Sequence, residues 1–350
     1  MPKYFEISFS LTSKCNAKCE HCCVDASPSR TELIKKNQLL KLIDEASRYG
    51  IKYIAFTGGE VSLCNDHLFY ALKQCKRNGI KSIVVTNAHW ADNITLAEKY
   101  LCILESLDVI EIQYSTDMFH LPHIKFDNVC NAINATKCTS IKPVVMLTRV
   151  KNDTITMELK NMLLKLGIEI VEQQVVPFSG RSMGIDKEVL YSYNIDDMRQ
   201  IGCISVLSPT ICPESNLYAC CASDFGQLKN SNLHFSDLNN ESLCSTLKRY
   251  ENDPIIDSLY LWGPKYLYEL IIKKEKNLLK NFKKIYYGYC DLCYSIMRDK
   301  SIIECLSEIF EDDQLRKRIR IGKLVKYEKI KKLSQRSNPW YEVVVERENA

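Results

Sequence analysis

Between Tyr4 and Val176 the chain alternates short apolar runs, rich in β-branched and aromatic residues, with longer segments of helical periodicity. The strand-like runs are Tyr4–Ser10, Lys52–Thr57, Lys81–Thr86, Val109–Ser115, Pro143–Val150 and Ile168–Val176. The helical segments are Thr31–Tyr49, Asn65–Asn78, Asp92–Ser106, Asn128–Lys137 and Asp153–Leu166. Strands joined through helices run parallel with right-handed crossovers. Six of them predict an α/β fold, a partial (β/α)6 TIM-like barrel. Gly50, Gly79 and Gly167 fit the left-handed residue that ends a helix.

Ligands of such folds sit at the C-terminal ends of the strands. The loops there, Cys15–Cys23, Gly58–Val61, Asn87–Trp90 and Thr116–His120, have the least ordinary composition in the first half. The alternation stops at the Gly/Pro/Ser-rich stretch Pro177–Gly184. We place a boundary there, giving a barrel over 1–180, a cysteine-rich domain over 181–310 and a basic C-terminal tail over 311–350. The length of 350 residues agrees with about two domains.

The chain has seventeen cysteines. It is too large to need disulfide staples, and seventeen is odd, so thiols acting as metal ligands are the better reading. No run of about 18 uncharged apolar residues predicts a membrane span. The first residues lack a signal-peptide pattern, and a cytoplasmic protein is expected. The net charge of +4 is unevenly spread. Leu315–Arg336 holds ten Lys/Arg and one Glu, a local +9, on a body of −5. Its apolar residues recur at roughly helical spacing, which reads as a solvated helix face. Docking of an acidic peptide leader is the sharper alternative, and no motif in the chain points to nucleic acid.

The strongest local signal is Cys15-Asn-Ala-Lys-Cys19-Glu-His-Cys22, a C-x3-C-x2-C spacing after the first strand. Three thiolates on one loop can converge on an iron–sulfur cube and leave one iron open. A closed zinc site completed by Cys23 or His21 is the alternative. Thr57-Gly58-Gly59-Glu60 ends the second strand. Its glycines let the backbone approach a ligand closely, and Glu60 can accept hydrogen bonds from an ammonium group.

Together these two motifs resemble the radical S-adenosylmethionine (SAM) superfamily over about residues 4–180. The resemblance implies that Cys15, Cys19 and Cys22 bind a [4Fe–4S] cluster whose open iron chelates SAM. It implies that Gly58, Gly59 and Glu60 hold the methionine ammonium. Reductive cleavage of SAM then gives a 5′-deoxyadenosyl radical that abstracts a substrate hydrogen. Asn87, Ser115 and Asp117 lie where family members contact the ribose and methionine of SAM, although short polar residues also favour turns. His120 could lie near the substrate, but an isolated His is more often structural.

The second half holds Cys203, Cys212, Cys220, Cys221, Cys244, Cys290, Cys293 and Cys305. A late C-x2-C with earlier cysteines suggests an auxiliary iron–sulfur cluster on Cys203, Cys220, Cys290 and Cys293, with Cys212 or Cys244 as substitutes. Cys64, Cys75, Cys102, Cys130 and Cys138 read as small buried apolar residues. Neighbours on a strand point to opposite faces, so if Cys220 turns towards a cluster, Cys221 turns away. The ordered set CNAKCEHCC, FTGGEV, STDMFH, VPFSGRSM, YACC and CDLC looks like the epipeptide-type peptide epimerases. That resemblance, which is looser towards residue 300, implies that Cys221 returns a hydrogen atom to a peptide Cα radical. It implies a precursor peptide as substrate and a donor such as flavodoxin or ferredoxin. Departures are the spacing of Cys203, the extra Cys212-Pro213 and the longer chain. Thioether or carbon–carbon cross-linking of a peptide is the runner-up, and a non-catalytic zinc or cluster-binding interaction protein the third reading.

Overall fold

The computed structural model describes residues 3–220 and 225–333. The chain divides into two compact units. The first comprises Met1–Tyr191, Leu207–Lys229 and His234–Glu251. The second comprises Ser192–Val206, Asn230–Leu233 and the chain from Asn252 onward.

In the first unit, strands β1 (Glu6–Ser10), β2 (Tyr53–Thr57), β3 (Lys81–Thr86), β4 (Val109–Ser115), β5 (Lys142–Arg149) and β6 (Glu169–Gln174) pair in sequence order, all parallel. Helices α1 (Lys36–Tyr49), α2 (Asn65–Arg77), α3 (Ile94–Ser106), α4 (Phe126–Thr136) and α5 (Thr154–Lys165) make the five crossovers. This is the expected partial α/β barrel. Each helix buries an apolar stripe; in α1 it is Leu39, Leu42, Ile43 and Ala46. Burying each of its larger side chains stabilises the fold by roughly 1.5–3 kcal/mol. Asn93 and Asp153 cap α3 and α5 by accepting from Leu96 N–H and Thr156 N–H. Gly50, Gly79 and Gly167 take the left-handed conformation expected of them.

Two features depart from the sequence reading. Thr31–Lys35 is extended rather than helical: Ser13 N–H donates to Glu32 O at 3.0 Å and Ile34 N–H to Leu11 O at 2.9 Å. Pairing with the exit of β1 wins over local helix propensity. The sheet also does not end at β1. After the two-residue strand β7 (Tyr193–Asn194), which belongs to the second unit, the chain returns. There β8 (Thr210–Ile211) pairs parallel to β1, and β9 (Asn216–Tyr218) and β10 (His234–Asp237) extend the sheet antiparallel. Helices α6 (Phe225–Leu228) and α7 (Leu243–Tyr250) belong to this return. The units therefore do not follow the expected limits at 180 and 310, because β8, β9 and β10 extend the barrel sheet.

The second unit is built on α8 (Pro254–Lys274), with β11 (Ile285–Tyr286) against β7, and helices α9 (Tyr289–Met297), α10 (Lys300–Ile309) and α11 (Asp313–Leu333). α8 breaks at Gly263 (φ 75°) before Pro264. Proline has no N–H, so Tyr260 O loses its helical donor. The Lys326 ammonium supplies one at 2.8 Å, while Cys203 N–H donates to Leu259 O at 2.7 Å. Lys323 pairs with buried Asp257 at 2.8 Å, and Arg318 lies over the Trp262 ring. The expected solvated basic face is thus corrected in part: three of its cations pack α11 onto α8.

Among the described residues, no helix is long and apolar enough to cross a membrane.

Candidate functional site

The exits of β1 and β2 are zipped together by backbone bonds. Leu11 N–H donates to Thr57 O at 2.8 Å, Gly59 N–H to Thr12 O at 2.6 Å, and Glu60 N–H to Lys14 O at 2.8 Å. A Cβ on Gly58 (φ +144°) would lie 2.5 Å from Thr12 O, and one on Gly59 would lie 2.1 Å from Lys14 O. The close approach that these glycines permit is to the chain's own Thr12–Lys14 segment, which leads into the cysteine loop.

Glu60 is buried and heavily bonded. Its Oε1 accepts from Ser62 N–H (3.1 Å), Ser62 Oγ (2.6 Å) and Thr86 Oγ1 (2.8 Å). Its Oε2 accepts from Asn87 N–H at 2.8 Å. The carboxylate therefore ties the exit of β2 to that of β3, and only Oε2 keeps spare acceptor capacity. Thr86 also accepts from Ala88 N–H and Trp90 Nε1. Ala88 holds a left-handed φ of 61°, a costly conformation for a residue with a Cβ.

The cysteine loop is closed at its base where Lys14 bridges Ser27 and Cys15 N–H donates to Ser27 O at 3.0 Å. Cys19 is buried; Cys15 and Cys22 are half-buried. Burial pushes the Cys15 thiol up to about 11 and the Cys19 thiol up to about 12. Each would be protonated at neutral pH, so a bound metal must displace the protons. Asn87 Nδ2 donates to Asn16 Oδ1 at 3.0 Å and reaches Cys15 Sγ at 4.0 Å.

Three soft donors grouped on one short loop suit an iron–sulfur cluster. Thiolates on one tetrahedral zinc lie about 3.8 Å apart, from a Zn–S bond of about 2.3 Å. Among the described residues the grouping within 4.8 Å is His21, Asp117 and His120, not the cysteines.

His21, Asp117 and His120 form the neighbouring wall. Asp117 Oδ1 accepts from Phe119 N–H, His120 N–H and His120 Nδ1, and its Oδ2 accepts from Thr148 N–H. Burial alone would raise its pKa, but His120 beside it and these hydrogen bonds hold the carboxyl down at about 2. Asp117 thus braces the exit of β4 against β5. His21 stacks on Phe119 at 4.8 Å and sits edge-on to His120 at 4.9 Å. Burial lowers its pKa to about 4, so the ring is neutral at pH 7. His120, which reads as an isolated His in the sequence, is grouped here with His21 and Asp117. Ser115 is half-buried at the end of β4, in register with Met146.

The segment after β6 folds onto the same loop. Ser179 Oγ donates to Cys23 O at 2.6 Å, and Arg181 N–H to Cys22 O at 3.1 Å. The Arg181 side chain donates to Cys19 O, Ala26 O and Asp25 Oδ1 at 3.0, 2.6 and 2.7 Å. Thr86, Ser62, Asn16 and Arg181 were not singled out from the sequence. Arg181 stood inside the quoted VPFSGRSM motif, but a residue that bonds carbonyls has no partner type for a sequence pattern to reveal.

The other cysteines separate. Cys220 is buried just after β9, and Cys212 is buried in the turn between β8 and β9, its N–H donating to Asn216 O at 3.0 Å. Cys244 lies on α7. Cys203, Cys290, Cys293 and Cys305 fall in the second unit, with Cys290 and Cys293 about one turn apart on α9. Cys221 lies outside the described residues. Cys75 is buried as expected, but Cys64 and Cys130 are half-buried and Cys102 and Cys138 exposed. Those four depart from the buried apolar reading: Cys102 and Cys130 lie off the buried stripes of α3 and α4, and Cys64 and Cys138 lie just outside α2 and α4.

Residues 9–137 match the Radical SAM superfamily. A peptide biosynthesis protein of Bacillus subtilis (strain 168), YydG, is 25% identical over 296 residues, covering 82% of this chain and 89% of that protein. The antilisterial bacteriocin subtilosin biosynthesis protein AlbA of the same organism is 33% identical over 89 residues, 25% of this chain and 19% of AlbA. The structure of native anSMEcpe with bound AdoMet superposes with a TM-score of 0.52 at 12% identity, covering 87% of this chain and 98% of that one, a likeness of fold. With the three cysteines after β1 and the Gly-Gly-Glu exit of β2 in place, the chain carries a radical SAM domain.

Proposed function

We propose that this protein is a radical SAM enzyme that converts an L-residue of a ribosomally made precursor peptide to its D-form. The observation that carries the peptide reading is the similarity to YydG, which spans 82% of the chain, far beyond the matched domain. The Cys220–Cys221 pair, with its resemblance to peptide epimerases, carries the choice of reaction.

In this reading Cys15, Cys19 and Cys22 hold a [4Fe–4S] cluster with one open iron. Gly58, Gly59, Glu60, Asn87, Ser115 and Asp117 surround SAM. When bound, the cluster and SAM supply one-electron cleavage to a hydrogen-abstracting 5′-deoxyadenosyl radical. Glu60 Oε2, which accepts one N–H, has a lone pair left for the methionine ammonium. Asp117 acts through the loop it braces. A second cluster draws on Cys290 and Cys293, whose spacing on α9 supports a shared site, and on Cys203 of the same unit.

Cys221 has the closing step. Loss of the Cα hydrogen leaves a nearly planar carbon radical. The Cys221 S–H bond breaks, and its hydrogen joins Cα from the opposite face. One electron and one proton then restore the thiol, the electron coming from a low-potential carrier of the flavodoxin or ferredoxin class. Cys221→Ala is expected to cleave SAM and abstract hydrogen at near wild-type rates while D-residue formation falls at least 100-fold. Chiral amino-acid analysis of the hydrolysed peptide measures this, and normal D-residue yield from the variant would refute the role.

A further inference from the structure

β6 is an edge strand of the sheet, so no strand pairing links it back to β1. The loops after these two strands nevertheless meet. Gly180, at φ +55°, brings its backbone so close to the cysteine loop that a Cβ would lie 2.5 Å from Cys22 O and 2.8 Å from Cys23 O. On either side of it, Ser179 Oγ and Arg181 N–H bond the carbonyls of Cys23 and Cys22. The Arg181 guanidinium uses all three of its nitrogens on Cys19 O, Asp25 and Ala26 O. Four carbonyls of one excursion, those of residues 19, 22, 23 and 26, thus accept from a three-residue segment about 155 residues later. Asp25, the side-chain partner, itself holds a left-handed φ of 52°.

We propose that Ser179-Gly180-Arg181 is a clasp that holds the cysteine loop in its cluster-binding shape before the metal arrives, with Arg181 as a positioning residue whose fixed charge also raises the cluster's reduction potential. The proposal rests on the reading that Cys15, Cys19 and Cys22 carry the cluster. A loop with three half-buried or buried thiols gains little from burial alone, because its own backbone carbonyls must be satisfied. The planar fork of arginine satisfies several at fixed geometry, which a lysine cannot. Its charge lies one hydrogen bond from the backbone of Cys19. Reduction adds negative charge to the cluster, so a nearby cation favours the reduced form and raises the potential.

The test compares wild type with Arg181→Gln, Arg181→Lys and Ser179→Ala in the full chain. Hydrogen exchange is measured on metal-free protein, with β2–β4 as an internal control for the fold. The midpoint potential of the reconstituted protein is followed by electron paramagnetic resonance. In Arg181→Gln, exchange of the 15–26 amides is expected to rise at least tenfold while β2–β4 stay protected, and the potential to become more negative. Arg181→Lys should restore the potential but not the protection. Ser179→Ala should raise exchange more mildly, which keeps the clasp testable if an Arg181 variant misfolds. Unchanged exchange of 15–26, or an unchanged potential in Arg181→Gln, would overturn the proposal. Failure of the underlying reading looks different: wild type itself would take up no iron, while the exchange comparison would still report on the loop.

Discussion

Gly59→Ala is expected to abolish cluster assembly and, with it, at least 100-fold of reductive SAM cleavage, without touching a cysteine. The added Cβ would lie 2.1 Å from Lys14 O and 2.5 Å from Lys14 C. Both are backbone atoms, so no rotamer change relieves the overlap. The bonds from Gly59 N–H to Thr12 O and from Glu60 N–H to Lys14 O straddle the clash and must both yield. Overpacking costs about 1–3 kcal/mol, and each lost hydrogen bond about 1 kcal/mol. A stability loss of roughly 3 kcal/mol is therefore expected. The displacement passes directly to Cys15, and a shift of about 1 Å at a reacting centre can cost 100-fold in rate. Gly184→Ala is the matched control, because a Cβ there meets nothing within 4 Å. Iron content and denaturant unfolding of both variants check the prediction. Normal iron uptake by Gly59→Ala would show that the contact is not needed.

Changing Glu60 should have the next largest effect and divides into two parts. Glu60→Ala strands the Ser62 and Asn87 N–H groups and two hydroxyls in a buried site. An unsatisfied buried group costs about 1–3 kcal/mol, so a loss of roughly 3 kcal/mol or more is expected. Glu60→Gln keeps the shape and one acceptor oxygen. The amide nitrogen then faces Asn87 N–H, donor against donor, or Ser62 and Thr86 if flipped. We expect a loss of about 1–2 kcal/mol. SAM binding should nevertheless weaken at least tenfold in Glu60→Gln, because the amide can no longer offer an ammonium the negative charge and the acceptor of Oε2. Equilibrium dialysis of reconstituted protein separates the two effects. Wild-type SAM affinity in Glu60→Gln would confine Glu60 to holding the β2 and β3 exits together.

The six parallel strands could be read from the sequence because each is five to eight residues long and flanked by a periodic helix. β8, β9 and β10 could not, since runs of two to four residues carry no measurable period. Their place beside β1 comes from long-range pairing. The cysteine and Gly-Gly-Glu motifs single out two loops that the structure zips together, but not what their parts touch. Glycine reports that something approaches closely, and here Thr12–Lys14 does. Asp117 stands out in the sequence only through the family resemblance; that its oxygens accept N–H groups of its own loop and of β5 depends on how the strands pack. The basic charges of α11 were visible, but their partners, the broken end of a helix and a buried Asp257, depend on where α8 kinks.

The central claim is that a peptide Cα radical is refilled by an exchangeable thiol. The direct measurement uses anaerobically reconstituted protein in heavy water, with SAM, a reductant and the precursor peptide encoded beside its gene, followed by mass spectrometry of the peptide. Gain of one solvent deuterium at a Cα, with the residue recovered in the D-form, is the result the account predicts. Loss of two hydrogens with no deuterium gained would contradict it and mark the reaction as an oxidative cross-link.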